Sequence, residues 1–301
     1  MSRSTWIAFF EATFAVLTWG ASFIATKVAL AEISPVTVVW LRFSIGVLIL
    51  GAAVVTRGQF ALPGWKDLGY FAVLGFLGIT FHQWLQSTGL VTAQASTTAW
   101  IVATTPVFMA LLGWLMLHEN LGWFRVLGTG LAAIGVLLVV TQGDLASLAE
   151  GHFGAPGDLL ILISAPNWAF FSVLSRPGLQ RHPATRMMFY VMTMGWLFTS
   201  LLFFLGPGIT QIGQLTRSGW LGVGFLGIFC SGIAYIFWYD ALKALPASQL
   251  GVFLYIEPLV AVVVAAVVLG EPILLASLLG GAIILWGVWI VNRPTRRRSI
   301  I

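Results

Sequence analysis

Two stretches of this chain carry the same marker residues at the same spacing: residues 95–119 read ASTTAWIVATTPVFMALLGWLMLHE, and residues 247–271 read ASQLGVFLYIEPLVAVVVAAVVLGE. Each stretch opens on Ala-Ser, carries a proline at its twelfth position and ends on a glutamate, and corresponding residues lie 152 positions apart. Two glycines after each stretch keep this offset: Gly128 and Gly135, then Gly280 and Gly287. Because the residues between the markers differ, the pattern indicates an old duplication rather than low complexity.

The duplication extends towards the N-terminus with a slightly different offset. The earlier markers Trp19, Lys27 and Gly75-Phe-Leu-Gly78 return 149 positions later as Trp168, Arg176 and Gly224-Phe-Leu-Gly227. A small insertion therefore separates the two halves. In a very apolar chain, a duplicated half is typical of membrane transporters, whose site lies between the two halves.

The composition indicates which solvent surrounds the chain. Of its 301 residues 59% are hydrophobic and 8% are charged, and the mean hydropathy is +0.96, so there are too few polar residues to coat a water-soluble surface. We expect most of the surface to face a lipid bilayer, with no soluble domain. The single cysteine, Cys230, excludes an intrachain disulfide.

Apolar runs of about 18 to 25 residues predict ten membrane-spanning helices. Their expected bounds are Trp6–Leu30, Val36–Thr56, Leu68–Gly89, Gln94–Leu117, Trp123–Thr141, Gly157–Ser175, Thr185–Leu205, Gly219–Leu242, Leu250–Leu269 and Ile273–Val291. The first run is long enough to span, so we interpret it as an uncleaved helix and not as a signal peptide. The domains are then a first five-helix repeat (1–142), an inter-repeat loop (143–156), a second repeat (157–292) and a basic tail (293–301).

The basic residues predict the orientation. With the N-terminus in the cytoplasm, twelve of the fifteen Lys and Arg residues fall on cytoplasmic segments, and Lys27, Arg42 and Arg217 lie towards the outside. Five spans per repeat then insert the second half upside down, which makes the halves an inverted repeat with both termini cytoplasmic. We interpret the tail as a topology signal attracted to anionic lipid rather than as a nucleic-acid-binding segment.

Five short motifs carry a resemblance to a known family: Thr18-Trp-Gly-Ala-Ser-Phe23, Ala99-Trp100 with Thr105-Pro106, His118-Glu119, Tyr255-Ile-Glu-Pro258 and Gly270-Glu271. With the five-plus-five layout, the chain resembles EamA-type members of the drug/metabolite transporter superfamily over essentially its whole length. The resemblance implies a carrier in the bacterial inner membrane with a central cavity formed chiefly by spans 1, 3, 4, 6, 8 and 9. Within the family the chain is most similar to exporters of aromatic and other neutral amino acids.

Polar and aromatic side chains within the spans are the candidate substrate-binding residues, because polar groups facing hydrocarbon are costly and should point into the bundle. The candidates are Trp19, Phe23, His82, Gln86, Trp100, Thr104, Asn167, Trp168, Phe171, Tyr235, Trp238, Tyr239 and Tyr255. Packing or a structural hydrogen bond remains the alternative for Trp100, Trp168 and His82. The scattered histidines show no metal-ligand spacing, and we expect no metal and no cofactor.

Two further features concern movement and energy coupling. Pro106 and Pro258 occupy equivalent positions within long spans, and we interpret them as paired bends that act as gating hinges. Glu257 is the candidate coupling residue for a proton-driven carrier, with a structural, hydrogen-bonded carboxylate as the favoured alternative. Lys27 and Arg42 either neutralise Glu257 or meet a substrate carboxylate.

The sequence therefore predicts a secondary transporter, not an enzyme, that moves a small-molecule substrate by alternating access. The expected cargo is an aromatic or neutral amino acid, moved outwards. The alternative within the superfamily is an exporter of drug-like or other small metabolites; outside it, the alternatives are a membrane-embedded enzyme or a channel. No Walker motif is present, and the direction of transport, its coupling and the oligomeric state stay open.

Overall fold

The protein is described here by a computed structural model that covers residues 3–117, 123–146, 154–245 and 253–291. Within these ranges the secondary structure is helical and contains no strand. Glu119, Ala247-Ser248, part of the inter-repeat loop and the basic tail lie outside the described residues.

The helices are numbered in chain order. They are α1 (Arg3–Leu30), α2 (Pro35–Thr56), α3 (Trp65–Gly89), α4 (Ala95–Val102), α5 (Thr105–Leu117), α6 (Trp123–Val140), α7 (Pro156–Arg181), α8 (Ala184–Leu205), α9 (Arg217–Ala244), α10 (Leu254–Leu269) and α11 (Leu275–Val291). A five-residue helix, Gly208–Ile212, follows α8.

Seven segments of the described chain are long and apolar enough to cross a membrane: α1, α2, α3, α7, α8, α9 and the continuous stretch Ala95–Leu112. Three shorter apolar helices, Val126–Val140, Leu254–Leu269 and Leu275–Val291, complete the set. Large apolar side chains such as Leu48, Leu201 and Val267 point outwards and are exposed. An outward apolar surface on a bundle of this kind faces lipid. The all-helical membrane class predicted from the composition is confirmed.

The predicted fourth span is not one regular helix, because it breaks between α4 and α5 at Ala103 and Thr104. Pro106 has no backbone N–H to donate, so a carbonyl in the preceding turn loses its usual partner. Hydroxyl groups replace the missing donors at the break: Thr104 Oγ1 donates to the Ile101 carbonyl at 2.6 Å, and Thr105 Oγ1 donates to the Val102 carbonyl at 2.7 Å.

The equivalent position in the second half is also irregular. The described part of α10 begins with a 3₁₀ turn, Leu254–Ile256, and becomes α-helical at Glu257, with Pro258 in the first turn. Proline is well tolerated there, because the first helical N–H groups have no intrahelical acceptor. Both prolines thus lie just after an irregular turn: Pro106 follows the turn at Ala103 and Thr104, and Pro258 follows the 3₁₀ turn.

Two π-helical segments, which the sequence did not predict, lie at the repeated Gly-Phe-Leu-Gly motif. The first, Phe76–Phe81, interrupts α3, and the second, Phe225–Ile233, interrupts α9. A π-helix shifts hydrogen bonding to i→i+5 and occurs frequently at functional sites. Side chains from neighbouring helices bond to its carbonyls here: Asn167 Nδ2 donates to Leu77 at 2.9 Å, and Trp19 Nε1 donates to Cys230 at 3.1 Å.

The two halves interleave rather than stand side by side. In the first half α1 packs against α9 and α10, and in the second half α7 packs against α3, α4 and α5. α2 packs against α8, and α6 packs along α11. Glycines allow the two halves to approach closely at this contact, because a Cβ on Gly128 would lie 2.5 Å from the Gly287 carbonyl oxygen and one on Gly135 would lie 2.6 Å from that of Gly280.

Hydrogen bonds and ion pairs mark two opposite ends of the bundle. At the end that we name the Lys27 face, Lys27 Nζ lies 3.6 Å from Glu271 Oε1 and donates to the Ala93 carbonyl at 2.5 Å. At the other end, the Arg57 face, both terminal nitrogens of Arg57 donate to the carboxylate of Asp240, at 2.9 and 2.6 Å.

Candidate functional site

The centre of the bundle holds an aromatic cluster drawn from both halves of the chain. We define the cluster as Trp19, Trp168, Phe171, Tyr235 and Tyr239, which pack into one core. The Trp19 and Tyr235 rings lie 5.7 Å apart edge to face, and the Trp168 and Phe171 rings lie 4.8 Å apart. The sequence proposed these five as substrate-binding residues, and the structure brings them together.

His82 lies directly beside this cluster. It begins the α-helix that follows the first π segment, its ring centroid is 4.7 Å from that of Trp168, and only 5% of the residue is exposed. Among the described residues its Nδ1 atom has no hydrogen-bond partner. A buried polar atom without a hydrogen-bond partner is unfavourable, and a bound molecule that forms a hydrogen bond with it would remove this cost.

Arg42 adds a buried charge to the same region. It lies in α2 with 5% of its surface exposed, and its charge acts on His82 and on Tyr235 of the aromatic cluster. Its Nε donates to Ser231 Oγ at 3.0 Å, and its Nη1 donates to Gln83 Oε1 at 3.1 Å. The prediction from the sequence names Arg42 for its charge but does not include it among the candidate substrate-binding residues. The signal that identifies it is an arginine seven residues inside an apolar span.

Two other candidates pack away from the aromatic cluster, against α11. Trp100 is 2% exposed, and a Cβ on Gly281 would lie 2.4 Å from its ring. Its Nε1 has no partner among the described residues. Tyr255 packs against the same core. These contacts place both residues beside α11, so their role as substrate ligands stays a proposal.

The remaining aromatic and amide candidates take separate places. Phe23 packs against Ala95 and Ala99 of α4. Trp238 lies 5.2 Å from Trp19 at the edge of the aromatic cluster. Three polar candidates are placed as follows: Thr104 is buried at the α4–α5 break, Asn167 uses its amide on the first π segment, and Gln86 is half-buried.

The acidic residues are arranged differently from the expectation. Within the described residues the Glu257 carboxylate forms no hydrogen bond and no ion pair, and its role as a coupling residue or as a structural carboxylate stays a prediction. Lys27 pairs with Glu271 rather than with Glu257. Asp240, which the sequence interpretation overlooked as a membrane acid, lies in α9 and pairs with Arg57.

A cavity of about 340 Å³ opens at the Lys27 face. Its walls come from the end of α3, the start of α4, the end of α6 and the start of α7. The lining side chains include Thr92, Gln94, Thr97, Thr141 and Asp158. Its polar walls lie close to the Glu271 contact and away from the aromatic cluster.

The described residues thus define a multi-pass helical membrane protein whose two halves contribute aromatic and polar side chains to one buried centre. Comparison with known proteins agrees with this class. The model of the EamA-like transporter family matches residues 6–141 and 155–293, and the chain belongs to that family and to the drug/metabolite transporter superfamily.

The similarity to known relatives extends over nearly the whole chain. A protein of Streptantibioticus cattleyicolor named "Probable terminal-alkyne amino-acid exporter" is 27% identical over 301 residues, covering 99% of this chain and 97% of that protein. An uncharacterized transporter of Archaeoglobus fulgidus is 26% identical over 276 residues, covering 91% and 95%. A crystal structure with 23% identity superposes with a TM-score of 0.66 over 98% of this chain and 100% of that chain, which shows a shared fold.

Proposed function

We propose that this protein is a secondary transporter that exports aromatic and other neutral amino acids through a centre built around the aromatic cluster. The observation that carries the proposal is the convergence of Trp19, Trp168, Phe171 and Tyr235 beside His82, whose buried Nδ1 has no hydrogen-bond partner among the described residues. Such a centre offers apolar contact to a side chain and hydrogen bonds to a polar backbone. The relative named as an amino-acid exporter supports this cargo.

We further propose that the two halves form an inverted repeat of five spans each, with the boundaries 1–142 and 157–292. The offsets of 149 and 152 residues place α1 on α7, α3 on α9, and α4 with α5 on α10. The packing supports this relation, because α1 contacts α9 and α10 whereas α7 contacts α3, α4 and α5. Helices exchanged in this way are what an axis in the membrane plane produces.

The proposed orientation places the Arg57 face in the cytoplasm, with both chain termini on that side. Arg57, Lys66, Arg181 and Lys243 lie on this face, whereas Glu32, Asp144 and Glu271 lie on the Lys27 face. Basic residues in short connections favour the cytoplasmic side. In bacteria the membrane is then the inner membrane.

Transport follows alternating access in this proposal. The Lys27–Glu271 contact closes one end of the bundle and the Arg57–Asp240 contact closes the other, and the two break in turn. Pro106 and Pro258, each next to an irregular turn, act as hinges. Glu257 is the acid through which a proton gradient acts, since its carboxylate has no partner within the described part of the chain.

The decisive experiment is flux in proteoliposomes that contain the purified full-length protein. We expect labelled phenylalanine or tryptophan to exchange across the bilayer faster than in protein-free liposomes, and aspartate not to exchange. Running the assay with and without an imposed pH gradient separates proton-driven from facilitated movement. Flux of a drug-like cation or other metabolite with no amino-acid flux would instead favour the wider superfamily alternative.

A further inference from the structure

Arg42 is a buried cation that forms no ion pair within the part of the chain that the structure describes. No described Asp or Glu forms an ion pair with it, and its two partners, Ser231 and Gln83, are neutral. The face of the Phe43 ring adds a cation–π contact at 5.1 Å. Neutral hydrogen bonds offset only part of the loss of hydration that a buried guanidinium suffers.

The hydrogen bonds of Arg42 leave part of the guanidinium open. The group carries five N–H donors, and the two bonds to Ser231 and Gln83 use one on Nε and one on Nη1. Nη2 donates to no acceptor among the described residues. Gln83 and Ser231 therefore hold the guanidinium in place, and three of its five donors stay available for a further acceptor.

The neighbours of Arg42 suit a bound molecule with one charged end and one apolar end. His82, whose Nδ1 has no partner among the described residues, directly precedes Gln83, the residue that accepts a hydrogen bond from Arg42 Nη1. The Trp168 ring contacts the His82 ring, and the Phe171 ring contacts that of Trp168. A carboxylate matches the geometry of a guanidinium better than other small acceptors, because it accepts two parallel N–H bonds.

We propose that Arg42 is the carboxylate-recognition residue of the central site and that the transported class is therefore molecules with a free carboxylate next to an apolar side chain. Gln83 and Ser231 position the guanidinium, and the carboxylate supplies the counter-charge that the protein lacks. This inference rests on the proposed function and narrows it: amines, esters and amides of the same amino acids are excluded from the site.

The test compares two ligands that differ only at the carboxylate, L-phenylalanine and L-phenylalaninamide. Binding of each to the purified full-length protein in detergent is measured by isothermal titration. We expect the wild type to bind phenylalanine about 10- to 100-fold more tightly than its amide, which is the range for hydrogen bonds to a charged group. Arg42→Gln is expected to bring that ratio close to one, with Arg42→Lys between the two.

The ratio protects the test against damaged protein, because a partly misfolded sample lowers binding of both ligands by the same factor. The exposed cation Lys66 provides the matched control, and Lys66→Gln is expected to keep the wild-type ratio. A wild-type ratio near one, or a ratio unchanged in Arg42→Gln, would assign Arg42 a purely structural role.

Failure of this inference is distinguishable from failure of the proposed function. Phenylalanine flux in proteoliposomes together with equal binding of the amide would overturn carboxylate recognition and leave amino-acid transport standing. Wild-type protein that neither binds nor moves any amino acid would overturn the proposed function and, with it, the role of Arg42.

Discussion

At the scale of single residues, Glu271 joins three segments of the Lys27 face. Its Oε1 accepts the backbone N–H of Ala95 at 2.8 Å, and its Oε2 accepts the backbone N–H and the hydroxyl of Ser96 at 3.1 and 2.7 Å. These donors form the N-terminus of α4, where the helix dipole favours a negative charge. The second repeat thus supplies the cap for a helix of the first, which explains the glutamate that the sequence repeats.

We expect Glu271→Gln to destabilise the protein by about 1 to 2 kcal/mol, because the neutral amide loses the charge-assisted bonds and the interaction with the dipole. Unfolding followed by tryptophan fluorescence would show this as a Tm lower by a few degrees. Glu32→Gln is the control. Glu32 also accepts hydrogen bonds, from Thr216, which lower the pKa of its carboxyl, but it lies in a surface loop, so its loss should cost less stability. An equal loss in this control would refute a special role for Glu271.

Single residues also show where sequence reasoning reached its limit. The sequence named His82 and Gln86 as the candidates in span 3, but the π segment before His82 changes the helical rotation, and Gln83 is the residue that accepts a hydrogen bond from Arg42. Trp100 looked equivalent to Trp168 in depth and neighbours, yet it turns towards Gly281. Hydropathy places a residue along the membrane normal and does not determine which neighbour it faces.

At the scale of helices, α6 and α11 approach each other most closely at two levels where a glycine faces a glycine carbonyl. We expect Gly128→Ala to destabilise the protein by about 1 to 3 kcal/mol, because the added Cβ would lie 2.5 Å from the Gly287 carbonyl oxygen. Gly130→Ala adds the same methyl group to the same helix with nothing within 4 Å, so its effect should be neutral or slightly stabilising. If both variants melt alike, close backbone approach is not what these glycines provide.

The proline breaks lead to a prediction about rates. We expect Pro106→Ala and Pro258→Ala to slow exchange flux while leaving the affinity for substrate unchanged. Alanine at position 106 restores a backbone donor that stiffens the break, and alanine at position 258 removes the fixed φ angle of the first helical turn. Pro63→Ala, in the connection before α3, is the control and should not change the flux. Unaltered turnover in both hinge variants would remove the hinge interpretation.

The helices differ in how far the sequence predicts them. Apolar length and breaker residues located the long apolar helices near their observed positions, because membrane-spanning segments must be long and apolar, but they missed the short helix Gly208–Ile212. The same rules carry no information on hydrogen-bond register, so the π segments at Phe76–Phe81 and Phe225–Ile233 were missed. The repeated Gly-Phe-Leu-Gly motif was the available signal, since glycines that recur within a span have a local structural reason.

At the scale of the whole molecule, the two faces hold contacts of unequal strength. On the Lys27 face, Glu271 combines an ion pair with three hydrogen bonds. On the Arg57 face, the Arg57–Asp240 pair is bidentate but partly exposed, with side-chain exposures of 32% and 23%, so solvent weakens it. Lys243 adds a second, more exposed partner for Asp240 at 3.3 Å.

In alternating access, each of these contacts stabilises the states of the protein that are closed on its own face. Weakening the contact on one face therefore shifts the population of protein molecules towards the state that is open on that face. In a Cys230→Ser background, a cysteine at Thr97 reports on the Lys27 face and one at Ala12 reports on the Arg57 face, since both positions are buried here. We expect Glu271→Gln to raise maleimide labelling at position 97 up to about tenfold and to lower it at position 12. Asp240→Asn should do the reverse by about two- to fivefold, as suits a partly exposed pair. The labelling is done in detergent, so that the reagent reaches both faces. Exchange between two states requires labelling to rise at one position and fall at the other, whereas a rise at both positions in either variant would indicate local loosening.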